Sequence, residues 1–104
     1  MTEDNIRLAD NPARQRFELH KDGALAAFAE YNLLEGTLRF THTEVLPAHE
    51  GQGLGSTLAT FALDQVAERG QHAIPACSFI AAHIRRHPQY LPLVAPEHRS
   101  AARL

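Results

Sequence analysis

The feature that most constrains this chain is a loop with glycines at alternate positions, EGQGLGS (50–56). The residues before it, TLRFTHTEVL (37–46), are rich in Thr, Val and Phe and predict a strand, which Pro47 ends. From Gly53 to Arg69 the apolar residues recur with a helical period, and Gly70 follows where a helix would end. Each glycine costs conformational entropy, so this spacing indicates that something approaches the main chain closely there.

The remaining segments complete a mixed α/β pattern. Three further elements with strand character and one with helix character cover 16–20, 24–34, 72–76 and 77–87. The order is therefore an antiparallel β-meander followed by β-loop-α-β-α, and the crossover helix makes the last two strands parallel. We expect residues 1–15 to be loosely ordered and residues 16–104 to form a single domain. The proline-rich tail after Pro88 is expected to be irregular.

Composition excludes several classes of protein. A formal net charge of −2 argues against nucleic-acid binding, which requires a basic surface. No apolar run approaches membrane-spanning length, so we expect no membrane partner. The polar and acidic start, MTEDNIRLADNPARQ, is unlike a signal peptide. A single cysteine, Cys77, allows no internal disulfide and predicts a reducing, cytoplasmic location.

A loop between a strand and a helix N-terminus is suited to anions. The free N–H groups of the first turn point outward, and the helix dipole adds partial positive charge. Two nucleotide-binding patterns nevertheless fit poorly. The dinucleotide fingerprint needs G-x-G-x-x-G, and a P-loop needs a lysine before Ser or Thr, whereas here Ser56 directly follows Gly55.

The chain resembles the GNAT superfamily of N-acetyltransferases, and within it a small GNAT-like subgroup of about a hundred residues. The matching blocks, in order, are FTHTEV (40–45), EGQGLGS (50–56), CSF (77–79) and RRHPQY (85–90). The match runs from Arg16 to Tyr90. The wider superfamily has Arg or Gln at the first loop position, whereas this chain has Glu50, as is usual in the subgroup.

This resemblance implies a truncated GNAT fold that binds acetyl-CoA. Its last two strands splay apart to admit the pantetheine arm, and Pro75 suits a place without strand pairing. In such enzymes a main-chain N–H near the end of the strand polarises the thioester carbonyl. The implied cofactor-binding residues are Val45, Leu46, Glu50, Gly51, Gln52, Gly53, Leu54, Gly55, Ser56, Arg85 and Arg86.

Three residues are candidates for catalysis. The resemblance places Cys77 near the acetyl-CoA thioester, where a helix N-terminus favours the thiolate, although a small buried hydrophobe is the alternative. His42 is expected on the same strand face as Leu38 and Phe40, where it is either a base or a hydrogen-bonded core histidine. Glu44 is the alternative base or an exposed strand residue.

The sequence predicts no metal site. Two further features, a histidine pair and a late tyrosine, are also candidates for function. His83 and His87 are spaced as half a metal site, but no third ligand accompanies them, so we interpret the pair as surface residues. Tyr90 resembles the late tyrosine that protonates the departing thiolate in many GNAT enzymes, although it follows Pro88 and lies outside the predicted helix.

The sequence thus predicts an acetyltransferase that transfers acetyl from acetyl-CoA to an unidentified amine. The amine attacks the thioester directly, or Cys77 is acetylated first; the sequence leaves both routes open. A non-catalytic acyl-CoA-binding module is the main alternative, and a protein-interaction module that uses the open sheet edge is another. A monomer is one option, and the sequence does not decide the oligomeric state.

Overall fold

A computed structural model describes residues 5–104. The strands are β1 (Ile6–Asn11), β2 (Arg16–Lys21), β3 (Ala24–Leu34), β4 (Thr37–Val45) and β5 (His72–Pro75). The helices are α1 (Leu54–Glu68), α2 (Ser78–Arg86) and α3 (Pro96–Arg99), with 3-10 turns at Pro12–Arg14, Pro47–His49 and Pro88–Leu93.

One five-stranded sheet has the order β1-β2-β3-β4-β5. The first four strands are antiparallel neighbours, and β5 runs parallel to β4. Asp22 and Gly23, both with positive φ, make the tight turn between β2 and β3. The α/β prediction with parallel last strands is confirmed, because α1 provides the crossover that parallel neighbours need.

The core lies between one face of the sheet and the two longer helices. An aromatic cluster fills its centre: the ring centroid of Phe17 lies 5.3 Å from that of Tyr31 and 6.1 Å from that of Phe40. Apolar side chains of both helices pack onto this cluster, among them Leu58, Leu63, Ile80 and Ile84. The apolar faces of the strands and of the helices therefore pack together in one core.

A β-bulge in β4 changes which side chains face that core. Glu30 pairs with His42 and Tyr31 pairs with Phe40, so Thr41 is an extra residue in β4. One extra residue reverses the alternation, because side chains have a period of two along a strand. The prediction that His42 shares a face with Phe40 is therefore wrong: Phe40 is fully buried, and His42 is exposed on the outer face of the sheet.

The N-terminal segment is better ordered than the sequence indicated. Residues 1–4 lie outside the described residues, but the prediction of loose order is wrong from Ile6 onward, because β1 pairs along its whole length with β2. Two side-chain contacts to Asp10 also hold β1 in place. The Tyr31 hydroxyl donates to Asp10 Oδ1 at 2.7 Å, and Arg69 at the end of α1 pairs with Asp10 Oδ2 at 3.0 Å. Burial and this bond to Asp10 raise the pKa of Tyr31 to about 12.

The tail is also more regular than predicted. It forms the 3-10 turn from Pro88 and the short helix α3, and the Arg99 guanidinium ties them together by donating to the carbonyls of Val94 and Leu91. Among the described residues, no helix combines the length and the apolar character needed to cross a membrane.

Candidate functional site

A cavity of about 270 Å³ opens where the glycine loop meets α1. It is lined by Val45, His49, Glu50, Gly51, Gly53, Leu54, Gly55, Ser56 and Phe79. Gly53 is the N-cap of α1, with left-handed φ of 74°, and no side chain caps the helix at this residue. The first-turn N–H groups of Leu54, Gly55 and Ser56 therefore lack the side-chain acceptor that a Ser or Asp cap supplies. Such a helix start is chemically suited to an anion.

The glycines serve different physical needs. At Gly53 a Cβ would meet nothing within 4 Å, so glycine is needed there for its positive φ. At Gly55 a Cβ would lie 2.7 Å from Cζ of Phe79 and 3.3 Å from Cγ2 of Val45. Gly55 thus allows close packing of α1 against α2 and β4, a requirement that the loop sequence alone does not reveal.

The charge around the loop is mixed. The Glu50 carboxylate and the His49 ring belong to residues that line the cavity. Lys21 at the end of β2 contacts the Gln52 side chain, 31 residues further along the chain. Lys21 is the only lysine in the sequence, and it brings a positive charge to a loop, EGQGLGS (50–56), that contains no lysine or arginine. No sequence signal links these two distant positions; only the strand pairing brings them together.

The last two strands part beside the cavity. β5 pairs with β4 only from Thr37 to Phe40, so within residues 5–104 no strand pairs with residues 41–45 of β4 on that side. Pro75 is opposite Phe40 at the end of the pairing, and the Cys77 N–H then donates to the Phe40 carbonyl at 2.8 Å. Pro75 has no N–H to extend the ladder, which explains why the pairing stops there.

Main-chain donors at this free edge can be assigned by strand geometry. The Leu46 N–H donates to the Ala26 carbonyl of β3 at 2.8 Å, so the expectation that Leu46 offers its N–H to a thioester is wrong. Successive residues of a strand point their N–H groups to opposite edges. The Val45 N–H therefore points to the edge that β5 has left, which keeps Val45 as the candidate donor.

Cys77 lies at this opening as the N-cap of α2. Its side chain is nearly buried, and the thiol donates to the Thr43 hydroxyl at 3.5 Å. Thr43 faces inward because of the bulge at Thr41. Among the described residues, no carboxylate or imidazole contacts the Cys77 sulfur in a hydrogen bond or ion pair.

His42 and Glu44 meet each other on the opposite face of β4. His42 Nε2 lies 3.1 Å from Glu44 Oε1, and the two side chains are 54% and 45% exposed. The His42 ring packs near Phe28, with 6.1 Å between centroids. The structure therefore brings two of the three predicted catalytic residues together and separates both from Cys77 by the thickness of one strand.

The predicted arginine contacts lie elsewhere. Arg85 Nη1 donates to the Ala102 carbonyl at 2.7 Å and lines a second cavity with Arg103, and Arg86 is exposed. Neither Arg85 nor Arg86 lines the loop cavity. Their predicted binding to cofactor phosphate stays a prediction that this arrangement does not support.

A buried polar cluster joins α1 to α2 below the site. The interpretation of His83 as a surface residue is wrong: it is 1% exposed, and its Nε2 lies 3.2 Å from the Thr60 hydroxyl. Within residues 5–104 its Nδ1 has no hydrogen-bond partner, and its ring centroid lies 4.3 Å from that of His87. The Tyr90 hydroxyl donates to Asp64 at 2.8 Å, so Tyr90 holds the tail to α1 and does not face the opening. No metal-binding group of three side chains occurs in the described part of the chain.

This cluster predicts acid sensitivity. Burial, followed by the charges of His87 and Arg86, lowers the pKa of His83. The unfolded chain takes up a proton at His83 as the pH falls below about 6.5, whereas the folded chain takes it up only at a lower pH. The contribution of His83 to the free energy of unfolding should therefore be constant above about pH 6.5 and should decrease below it.

Urea titrations at pH 7 and pH 5 measure this effect. His83→Gln keeps a polar group beside Thr60 but cannot be protonated, so it should lose less stability than the wild type between these pH values. The exposed His72 provides the control, and His72→Gln should behave as the wild type does. Equal losses in His83→Gln and the wild type would contradict the assignment.

Solved structures of acetyltransferases are similar to this chain. The chain is similar to the ribosomal-protein-S18-alanine N-acetyltransferase from Escherichia coli, with 30% identity and a TM-score of 0.52, over 55% of this chain and 37% of that one. It is also similar to a nourseothricin acetyltransferase, with 23% identity and a TM-score of 0.44, over 69% of this chain and 58% of that one. The chain thus spans less than two thirds of either protein. No curated protein matches it in sequence.

A family comparison covers most of the chain. Residues 16–93 match the family described as GCN5-related N-acetyl-transferase. This range contains the glycine loop, the parted strands and Cys77, and it confirms the resemblance noted in the sequence. The chain belongs to the GCN5-related N-acetyltransferase family.

Proposed function

We propose that this protein transfers the acetyl group of acetyl-CoA to an amine. The observation that carries the proposal is the parting of β4 and β5 after Phe40, next to a glycine loop at the start of α1. An elongated anionic ligand fits this combination, because the loop suits its phosphates and the gap admits its thioester arm. Family membership supports the same reading.

The chain's own groups fit the cosubstrate. The uncapped N–H groups of Leu54, Gly55 and Ser56 would hold the pyrophosphate, with Lys21 contributing positive charge nearby. The Val45 N–H at the free edge of β4 would donate to the thioester carbonyl, where negative charge develops during attack. Bound acetyl-CoA supplies an acetyl group on a good thiolate leaving group.

We favour direct attack by the amine. The amine nitrogen forms a bond to the acetyl carbon, the carbon–sulfur bond breaks, and CoA leaves as the thiolate. The amine loses a proton, for which Glu44, with His42 at 3.1 Å, is the acceptor. The pair lies on the outer face of β4 and Cys77 on the inner face, and β5 does not pair with β4 beyond Phe40, which is where we propose that the amine passes from one face to the other. An amine that enters from the outer face therefore passes the base on its way to the thioester.

The structure gives less support to an acetyl-Cys77 intermediate. A nucleophilic thiol is normally activated by an adjacent base. The Cys77 thiol instead donates to the neutral hydroxyl of Thr43. Its nearly buried position beside the gap suits a wall of the thioester site.

The acceptor is proposed only as an amine. Over half of this chain is similar to an enzyme named for the alanine of a ribosomal protein, which supports amine acetylation as the chemistry. The similarity covers too little of either chain to transfer that enzyme's acceptor.

A non-catalytic acyl-CoA-binding module is the second candidate. Within residues 5–104, β5 pairs only with β4, so it is an edge strand. The acceptor side of the gap therefore has few walls to hold a second substrate. Release of CoA in the presence of candidate amines distinguishes the enzyme from this module.

Acetyl-CoA should raise the melting temperature. A ligand that binds only the folded state stabilises it by about 2.7 kcal/mol at one hundred times its Kd. For a domain of this size that corresponds to a rise of roughly 10 °C or more. Thermal unfolding is measured with acetyl-CoA, CoA and, as a control for phosphate binding alone, ATP. No shift with millimolar acetyl-CoA would contradict both the enzyme and the acyl-CoA-binding module.

A further inference from the structure

Phe79 connects the two halves of the proposed site. It lies in the first turn of α2, two residues after Cys77, and it is the only residue of α2 that lines the loop cavity. Its ring tip lies where a side chain of residue 55 would begin, 2.7 Å from the position of that Cβ. Val45, at the parted end of β4, lines the same cavity. The ring therefore contacts the start of α1 and adjoins the end of β4.

A ligand that spans both halves must pass this ring. Its phosphates would lie at the Gly53 loop, and its reactive end would lie beside Cys77 in the gap. Val45 and Phe79 are the apolar side chains at the junction, apart from Leu54 in the helix start. An alkyl and amide arm gains free energy from packing on an aromatic face, whereas the nucleotide phosphates do not need one.

We infer that Phe79 is the wall against which the pantetheine arm of acetyl-CoA packs, and that Gly55 is glycine in order to seat this ring. The inference rests on the proposed function. It assigns separate reasons for the missing side chains at neighbouring loop positions. Gly53 is glycine for its positive φ at the phosphates, and Gly55 is glycine to seat Phe79, while the Gly55 main-chain N–H stays with the phosphates. The two roles predict different responses to ligands with and without the arm.

Calorimetric titration with two probes tests this assignment. The probes are CoA and its nucleotide half, adenosine 3′-phosphate 5′-diphosphate, which lacks the arm. Phe79→Ala should weaken CoA binding about tenfold or more, as truncation of a packed aromatic anchor does. Binding of the nucleotide half should stay within about twofold of wild type, because the loop is unchanged.

Gly55→Ala provides an independent variant. Alanine is favoured over glycine in a helix, and the new methyl meets a ring tip rather than backbone, so the fold should tolerate it. The displaced ring should still weaken CoA binding several-fold. Binding of the nucleotide half should stay close to wild type, because alanine keeps the main-chain N–H of residue 55. The double variant Gly55→Ala/Phe79→Ala should bind CoA no worse than Phe79→Ala alone, because the methyl then has no ring to displace.

Phe61→Ala is the matched control. Phe61 is also a half-buried aromatic residue, but it packs on Phe17 in the core, 6.0 Å between centroids. It should lower the melting temperature without changing the ratio of the two affinities. If Phe79→Ala weakens the binding of CoA and of the nucleotide half equally, the ring only holds the loop in place. If Phe79→Ala leaves the affinity for CoA unchanged, the pantetheine arm does not pack on the ring. Failure of the wild type to bind either probe would instead reject the proposed function.

Discussion

Glu44→Gln is expected to lower kcat by about 10²–10⁴-fold, because glutamine keeps the shape of the side chain but cannot accept a proton. The KM for acetyl-CoA should change little, since Glu44 lies on the outer face of β4, away from the loop cavity. His42→Ala should lower kcat in the same direction. The double variant should lower kcat by less than the product of the two single fold-decreases, because the two side chains contact each other and act as one unit. Initial rates of CoA release with an accepted amine measure these effects.

Two further variants make this test specific. Glu35→Gln, in the turn at the far end of the β3–β4 hairpin, removes a carboxylate of the same type and should leave kcat unchanged. Cys77→Ala should cost at most several-fold if attack is direct. Ping-pong kinetics in the wild type, together with an inactive Cys77→Ala variant that still binds acetyl-CoA, would instead establish the acetyl-enzyme route. An active Glu44→Gln/His42→Ala variant would show that the base lies elsewhere.

The strands and helices that carry the site could be read from the sequence. The strand character of 24–34 and 37–46 and the helical period after Gly53 set bounds that the structure reproduces within one or two residues. These signals are local, because each element's side chains record which of its faces is buried. β1 was missed because its six residues, from Ile6, have only intermediate or exposed side chains. Its order comes from pairing with β2 and from Asp10, which are contacts distant in sequence.

The face of β4 on which His42 lies is a second feature that the local sequence does not predict. Strict alternation predicts that His42 faces inward with Leu38 and Phe40. The extra residue Thr41 reverses the pattern, and no Gly or Pro in the strand marks the bulge. The same reversal brings Thr43 to Cys77. A single unmarked residue thus decides which side chains of β4 lie on the outer face of the sheet and which lie on the inner face.

Three further features depend on tertiary packing and could not be predicted from the local sequence. His83 has the same spacing whether it lies on the surface or between helices, and only the position of Thr60 on α1 makes it buried. Gly55 likewise looks equivalent to Gly53 in the loop sequence. The ring of Phe79, 24 positions away by numbering, gives Gly55 its own role. The contact between Lys21 and Gln52 depends on the sheet in the same way.

Gly53→Val is expected to weaken acetyl-CoA binding by about ten- to a hundredfold, which corresponds to the loss of one hydrogen bond from the main chain to a charged group. A Cβ at this position would meet no protein atom within 4 Å, so a clash of the Cβ with the protein is not the cause. The cause is φ: Gly53 has a φ of 74°, a region that a β-branched residue avoids at a cost of roughly 1–2 kcal/mol. The main chain would rotate away, and the N–H groups that start α1 would no longer converge on the phosphates.

Gly23→Val separates this effect from loss of stability. Gly23 has a φ of 85° in the turn between β2 and β3, and a Cβ there also meets nothing within 4 Å. Both variants should therefore lose similar free energy of unfolding, whereas only Gly53→Val should lose affinity for acetyl-CoA and for its nucleotide half. Gly53→Asn should bind more tightly than Gly53→Val, because asparagine tolerates left-handed φ. If Gly53→Val folds and binds both ligands as the wild type does, the loop does not hold the phosphates, and the anion must lie at another part of the chain.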